Sequence, residues 1–327
     1  MTRSPRNVMP LAHALFTGLR LSLAGVVHSP AHAAALMALC AGLSLGAMAQ
    51  PASPRLLIFG EQHDQPDQQR QVAETVQDLA ASGRLAALVL EMAEAPFTTA
   101  GLARDAHDSQ VRDALQWTGW PWHRYAHVVM NAVRAGVPVW GGNLPRAAMR
   151  SAMADERIGA ELPEATRQRI AEAVRSGHCG LLPERQLPGM VRIQVARDQS
   201  MAKVADAAVH RAAPGSVVVL LAGAQHAARD RGVPLHLLAS ATWAGSDIRV
   251  VMFEQAEPAL QADERRAAAV SAQPDYCAQL RQSMAAKSAS IPAAASPAAP
   301  ASAASAPARL PASAATTDGP AASGATR

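Results

Sequence analysis

The stretch RLLIFGEQHD, from Arg55 to Asp64, constrains the fold of this chain more than any other. Its apolar residues, Leu56 to Phe59, follow one another with no polar residue between them, which predicts a strand buried on both faces, as in parallel sheets. The run stops at Gly60, and charged residues follow at once. Because side chains just past the carboxyl ends of parallel strands line the ligand crevice of an α/β sheet, we expect a site here.

Three further apolar runs each deliver a polar group at the same end of the predicted sheet. The runs and their polar groups are Leu85–Leu90 with Glu91, Val137–Trp140 with Asn143, and Ser216–Leu221 with His226. A role as a loop residue or a helix cap is the ordinary explanation for any one such group. Four strand ends in one sheet favour a shared site, to which Glu61 and His63 also contribute.

Helical spacing of apolar residues predicts helices between these strands. Behind Pro66, the residues Val72, Val76 and Leu79 recur at helical intervals. A right-handed crossover through this helix makes the first two strands parallel neighbours. The other predicted elements are helices over Ala95–Ala135, Pro163–Ser176, Leu187–His210 and Asp263–Ala286, and a last strand over Arg249–Glu254. We therefore expect an α/β fold, a single domain over residues 51–287 with a mainly parallel central sheet flanked by helices.

The first 49 residues predict an export signal and no part of the fold. The apolar stretch Ala33–Leu45 is too short to span a bilayer, and the sequence before it contains three arginines and no acidic residue. An Ala-x-Ala sequence follows, so we expect cleavage before Gln50. Two alternatives remain open: lipidation at Cys40, although Leu39 departs from the lipoprotein pattern, and a retained N-terminal anchor.

The other end of the chain, residues 288–327, is composed almost entirely of Ala, Pro, Ser, Thr and Gly. Such a composition cannot bury enough apolar surface to offset the entropy of the chain, so we expect a disordered tail. Loss of the signal lowers the formal net charge from +4 to about +1, which excludes the basic footprint of a nucleic-acid-binding protein. Cys179 and Cys277 remain in an exported chain, and they either pair or stay as two thiols.

Two chemistries fit Glu61, His63, Glu91 and His226. Two His residues with one or two carboxylates are a common catalytic site for a divalent zinc, iron or manganese ion. Without a metal, His226 paired with Glu61 or Glu91 could act as a general base. A buried polar network with no chemistry is the third interpretation, and the sequence leaves all three open.

Aromatic side chains crowd a short stretch that contains Trp117, Trp120, Trp122 and Tyr125. His123 and His127 share one face of the predicted helix there. The stretch is either an aromatic patch that covers the sheet or a flat apolar slot with polar ligands at its rim. Farther along, Arg197 either anchors an acidic ligand or pairs with a local acid such as Asp198.

An ordered set of short motifs resembles the ChaN-like haem-binding lipoprotein family, within the Tiki and erythromycin-esterase-like superfamily. The motifs are GEQHD (60–64), VLEM (89–92), GWPWHRY (119–125), GNLPR (142–146), GHCG (177–180), QVARDQSMA (194–202) and LLAGAQHAARDRGVP (220–234). The ordered set is more specific than any one motif, and it covers the core of the chain. The poor lipobox and the long Ala- and Pro-rich tail depart from the family pattern.

The resemblance implies an exported α/β protein of iron acquisition that binds haem as a cofacial pair across a homodimer, with tyrosinate ligation. Of the two tyrosines in the sequence, Tyr125 falls inside a family motif and is the expected axial ligand. The other residues expected at the haem are Trp122, Arg197 and the substitute ligands His178 and His123. The superfamily implies instead that Glu61, His63, Glu91 and His226 form a metal-dependent hydrolase site.

We therefore expect a periplasmic or membrane-associated haem-binding protein of haem or iron uptake. An outer-membrane haem or iron transport system is its expected partner. A metal-dependent hydrolase is the alternative, and a scaffold with neither activity is the third class.

Overall fold

The computed structural model describes residues 54–273 and 275–289. The strands are β1 (Leu56–Glu61), β2 (Leu85–Glu94), β3 (Val139–Asn143), β4 (Val217–Gly223), β5 (Ile248–Phe253) and β6 (Glu264–Arg266). The α-helices are α1 (Pro66–Ala81), α2 (Asp108–Ala114), α3 (Trp122–Arg134), α4 (Arg146–Ala154), α5 (Glu164–Gly177), α6 (Leu187–Arg211), α7 (Ala224–Ala227), α8 (Val233–Leu238) and α9 (Tyr276–Ala289). The predicted export signal and the tail from residue 290 onward lie outside the described residues.

The strands form one sheet in the order β3-β2-β4-β1-β5-β6, and every paired strand in it is parallel. In the register, Leu56 of β1 lies opposite Val218 of β4 on one side and Ile248 of β5 on the other. Because β1, β4 and β2 are neighbours, the residues after their carboxyl ends meet at the middle of one sheet edge. The predicted α/β fold with a mainly parallel sheet is confirmed.

Successive residues of β1 point to opposite faces of the sheet, and each face is covered by helices. Leu57 and Phe59 pack in one hydrophobic cluster with α1 and α3, which contribute residues such as Val72 and Val128. Leu56 and Ile58 pack in the other, against residues of α6 and α8. Burial on both faces explains why the strand has no polar residue to alternate with.

Two predicted helices are wrong in their extent. Within Ala95–Ala135 the structure has α2 and α3 only, and Gly101 and Gly119 adopt positive φ angles of 91° and 78° in the loops between. Those conformations interrupt a helix and suit glycine. The predicted closing helix from Asp263 begins only at Tyr276, because Glu264–Arg266 satisfies its backbone by pairing with β5.

Cys179 and Cys277 form a disulfide that joins the end of α5 to the start of α9, over a sequence separation of 98 residues. This resolves the choice that the sequence left open. No helix among the described residues is long and apolar enough to cross a membrane.

Candidate functional site

The carboxyl ends of β1, β2 and β4 bring together the four strand-end residues that the sequence singles out. His63 Nδ1 lies 2.9 Å from Glu61 Oε1, and His63 Nε2 lies 3.8 Å from Glu91 Oε2. His226, in the short helix after β4, has its Nε2 3.6 Å from Glu91 Oε1. The four side chains therefore form one charged cluster.

Glu61 is buried, and its carboxylate is surrounded by donors. Oε1 accepts hydrogen bonds from the Tyr125 hydroxyl at 2.8 Å and from His63 Nδ1 at 2.9 Å. Oε2 accepts from the side-chain amide of Gln69. Donors on both oxygens satisfy the buried carboxyl group, so Glu61 is held in place at the base of the site.

Glu91 is the second buried carboxylate, with 2% of its side chain exposed. Oε1 accepts from Arg197 Nη2 at 2.5 Å, and Oε2 accepts from the amide of Gly223 at 2.6 Å. A Cβ on Gly223 would lie 2.9 Å from His63 Nε2, so glycine leaves room for the imidazole ring. Burial alone would raise the pKa of Glu91, but the charges of His226, His63 and Arg197 lower it to about 2.

Asp198 is a site residue that the sequence did not reveal. Its Oδ1 lies 2.6 Å from His226 Nδ1, and the carboxylate is 1% exposed. Because a carboxylate oxygen accepts, Nδ1 of His226 carries the proton and Nε2 faces Glu91. Burial raises the pKa of Asp198. The available signal was the QVARDQSMA motif (194–202), which contains Asp198 and also Gln194, a second residue of α6 that contacts His226.

Arg197 pairs with an acid of the protein, which is one of the alternatives that the sequence left open, and that acid is Glu91 and not Asp198. Its Nε donates to Asn143 Oδ1 at 2.9 Å and its Nη2 donates to Glu91. Asn143 in turn donates to the backbone oxygen of Glu91 at 2.9 Å. Arg197 and Asn143 together hold Glu91 in place.

The expectation of a divalent metal is not supported. Within the part of the chain that the structure describes, no group of three or more His, Cys, Asp or Glu side chains is arranged to hold a metal ion. The physical reason is that the oxygens of Glu61 and Glu91 already accept hydrogen bonds from protein donors. Both oxygens of each carboxylate are engaged in these hydrogen bonds, and the two carboxylates do not converge on a shared metal position.

A cleft of about 580 Å³ opens above this cluster, within the usual range for small-molecule sites. Its walls and floor include Trp120, Val174, His178, Leu260 and Tyr276, beside the charged cluster. The Trp120 ring lies against the imidazole of His63, with the ring centroids 4.5 Å apart. The cleft thus combines a charged floor with aromatic and aliphatic walls.

His178 lines the cleft, and one of its two ring nitrogens is hydrogen-bonded to the backbone. Its Nδ1 lies 2.7 Å from the backbone oxygen of Val174, one turn earlier in α5. A carbonyl oxygen only accepts, so Nδ1 carries the proton and Nε2 keeps its lone pair. Metal-ligating histidines commonly donate their other ring N–H to a carbonyl in this way.

Tyr125, which the family motif made the expected axial ligand of haem, does not face the cleft. Its side chain is fully buried, and its hydroxyl donates to Glu61. Burial, and then the negative charge of Glu61, raises the pKa of Tyr125 well above its ordinary value. The hydroxyl is bonded to Glu61 and Tyr125 does not line the cleft, so the structure does not place it at a bound ligand.

The other aromatic and histidine predictions divide between two places. Trp120 lines the cleft, whereas Trp122 donates from Nε1 to Asp108 at 2.8 Å. Trp117 and Trp122 pack partly buried against the core, as an aromatic cover of the sheet does. His123 is exposed and lines a separate groove between α1 and α3, so it does not share the cleft with His178.

Replacing Tyr125 by Phe tests this reassignment. We expect the free energy of unfolding in urea to fall by about 1 to 3 kcal/mol, because a buried carboxylate loses one donor. Haemin binding, measured by absorbance, should be unchanged. If a folded Tyr125→Phe variant lacks the absorbance band of bound haemin, Tyr125 is the axial ligand after all and the reassignment is wrong.

Acid should weaken the cluster through Glu91. A carboxyl whose folded pKa lies below its unfolded value stabilises the fold above the unfolded pKa, and this contribution is lost as the pH falls through the folded pKa. For Glu91 the window runs from 4.5 down to about 2. We expect the free energy of unfolding to fall more steeply in that window for the wild type than for Glu91→Gln. The exposed Glu156→Gln control should match the wild type, and identical slopes in all three chains would contradict the assignment.

Comparison with known proteins identifies what the chain is similar to. Residues 47–237 match a family model described as haem-binding uptake, Tiki superfamily, ChaN. Among solved structures, the chain is similar to ChaN of Campylobacter jejuni with cofacial haem, at 22% sequence identity and a TM-score of 0.51, covering 63% of this chain and 83% of that one. An erythromycin esterase variant in its open conformation is 15% identical with a TM-score of 0.36, covering 64% of this chain and 71% of that one. No curated protein matches.

Proposed function

The chain belongs to the ChaN family of haem-binding uptake proteins in the Tiki superfamily, and on that premise we propose that it binds haem in the cleft beside Trp120, His178 and Tyr276. The observation that carries this placement is His178, whose Nε2 keeps a lone pair at the rim. Neutral imidazole is a common axial ligand of haem iron. Haem would supply an iron that a neutral histidine can ligate and a flat apolar ring that can pack against aromatic side chains.

The residues present fit such a group. Trp120 supplies an aromatic wall, and Leu260 and Val174 supply aliphatic surface to a porphyrin ring. Arg197 also lines the cleft, with 21% of its side chain exposed. Its guanidinium donates to Glu91 and Asn143, so it holds the floor of the cleft beneath the proposed ligand.

We extend the proposal to the protein's setting: an exported protein, periplasmic or membrane-associated, that takes part in haem or iron uptake or handling. The Cys179–Cys277 disulfide supports export, because disulfides persist in oxidising compartments. The proposal includes a homodimer that encloses the haem and an outer-membrane transport system as the source or recipient. Sedimentation of the chain with and without haemin tests the dimer: a mass that doubles on binding supports it, and an unchanged monomer refutes it.

A haemin titration of the mature chain tests the proposed ligand. We expect a shifted Soret band that saturates at a fixed ratio of haemin to protein. Iron-free protoporphyrin IX is the matched comparison, and it should bind more weakly because it cannot engage His178. A featureless response that does not saturate would refute haem binding.

Hydrolysis without a metal is the second candidate, favoured by the Asp198–His226 pair. Asp198 fixes the proton on His226 Nδ1, which leaves Nε2 as a base at the floor of the cleft. His63, held by Glu61, presents a second base with 32% of its side chain exposed. Hydrolysis of an ester panel that resists a chelator and stops in His226→Ala would support this candidate. Haemin binding that survives in the same variant would separate the two functions.

A further inference from the structure

Tyr276 and His178 both line the cleft, and each is the chain neighbour of a disulfide cysteine. Tyr276 is 60% exposed and lies outside residues 47–237, the region that matches the family model. We propose that Tyr276 is a ligand-binding residue of the cleft and that the Cys179–Cys277 disulfide holds it there. This inference rests on the proposed haem-binding function and adds a binding residue from outside the family core.

The helix that begins at Tyr276 has little packing of its own. Residues 281–286 of α9 are all exposed, and none of the described residues of α9 belongs to a hydrophobic core cluster. A helix of 14 residues is marginal in water when it stands alone. The covalent bond to Cys179 is therefore the strongest attachment of this helix to the domain.

A second anchor lies just before Tyr276, in the strap formed by residues 267–273. Side chains and backbone at the start of α1 hold this strap by hydrogen bonds on both edges. The bonds are Gln71 Nε2 to Ala267 O (2.8 Å), Ala269 N to Asp67 Oδ2 (2.8 Å), Ser271 N to Gln65 Oε1 (2.8 Å), Gln65 Nε2 to Ser271 O (3.2 Å) and Gln273 Nε2 to Asp64 O (2.6 Å). Tyr276 thus lies between two anchors along the chain, the hydrogen-bonded strap before it and the Cys179–Cys277 disulfide directly after it.

Two anchors limit the freedom of the Tyr276 ring before a ligand arrives. Preorganised contacts lower the entropic cost of binding. The resulting differences in affinity between related complexes lie mainly in the dissociation rate of the ligand. A dithiol reductant removes one anchor: its thiolate attacks one sulfur, a mixed disulfide forms, and its second thiol closes the reductant's own disulfide. The protein gains two electrons and two protons as two thiols. Tyr276 then loses the nearer of its two anchors, and the strap remains.

The release of haemin to excess apomyoglobin measures the effect. We expect release to be about tenfold faster or more from the dithiol-treated chain, from Cys277→Ser and from Tyr276→Ala than from the oxidised wild type. The variant that combines Cys277→Ser with Tyr276→Ala should release haemin no faster than either single variant, because both changes remove the same feature, the positioned Tyr276 ring. Gln282→Ala, an exposed change elsewhere in α9, is the control and should release haemin at the wild-type rate.

A second measurement does not depend on haem. Cleavage by trypsin after Arg281, followed by mass spectrometry, should be faster in the reduced chain than in the oxidised chain. Equal cleavage would refute positioning by the disulfide, whatever the haemin result. Equal haemin release from the wild type and Tyr276→Ala would refute Tyr276 as a binding residue while leaving haem binding itself intact. A wild type that binds no haemin would refute the proposed function instead, since the cleavage result stands alone.

Discussion

Replacement of His178 by Ala is expected to weaken haemin binding by about 100-fold or more, since loss of a ligand should cost at least as much as loss of its supporting contacts. The reason is geometric. Nδ1 of His178 is bonded to the Val174 carbonyl, so Nε2 keeps its lone pair, and His178 lines the cleft. The Soret band of the remaining complex should also move, because the axial ligand changes.

His123→Ala is the matched control for this prediction. His123 is exposed, and the family resemblance makes it, like His178, a substitute ligand, but it lines the groove between α1 and α3. We expect its loss to leave the haemin affinity unchanged. The opposite pattern, with His123 required and His178 dispensable, would move the haem to the outer face of α3 and contradict the placement proposed here.

Replacement of Arg197 by Met is expected to lower the free energy of unfolding by about 3 to 5 kcal/mol, the usual cost of leaving a buried charge without its partner. Glu91 is 2% exposed and would lose its 2.5 Å bond to Arg197 Nη2. The same change leaves Asn143 Oδ1 without the hydrogen bond that it accepts from Arg197 Nε. Urea unfolding at neutral pH measures the loss.

Arg192→Met, on the same helix, is the control. Arg192 donates from an exposed position to the backbone of Met153, so its loss should cost less than about 1 kcal/mol. Removing both charges, by Glu91→Leu together with Arg197→Met, should cost less than the sum of the two single changes. Strict additivity would show that Glu91 and Arg197 are not coupled.

The sheet and the charged cluster were predictable because both follow from local sequence. A buried parallel strand has an unbroken apolar run, and the edge where such strands end is a property of the topology. Glu61, His63, Glu91 and His226 therefore come together as expected. The partners of Arg197 were not predictable, because the contact between α6 and the end of β2 joins residues more than a hundred positions apart.

The binding residues were harder to predict than the cluster. The aromatic motif around Tyr125 is compatible with a ligand-binding slot and with a buried core. Only the folded structure shows that the Tyr125 hydroxyl donates its hydrogen bond to Glu61. Asp198 lies in the QVARDQSMA motif, but the motif does not show which of its side chains faces His226. Tyr276 was predicted inside a continuous closing helix, but the pairing of Glu264–Arg266 with β5 instead leads the chain to the cleft.

The position of the iron is the most direct test of this account. Anomalous X-ray scattering from crystals of the oxidised chain with haemin would locate it without reference to any variant. We predict one iron in the cleft, within coordination distance of His178 Nε2 and with Trp120 and Tyr276 beside the porphyrin. Iron on the outer face of α3 near His123, or no ordered iron at all, would contradict it.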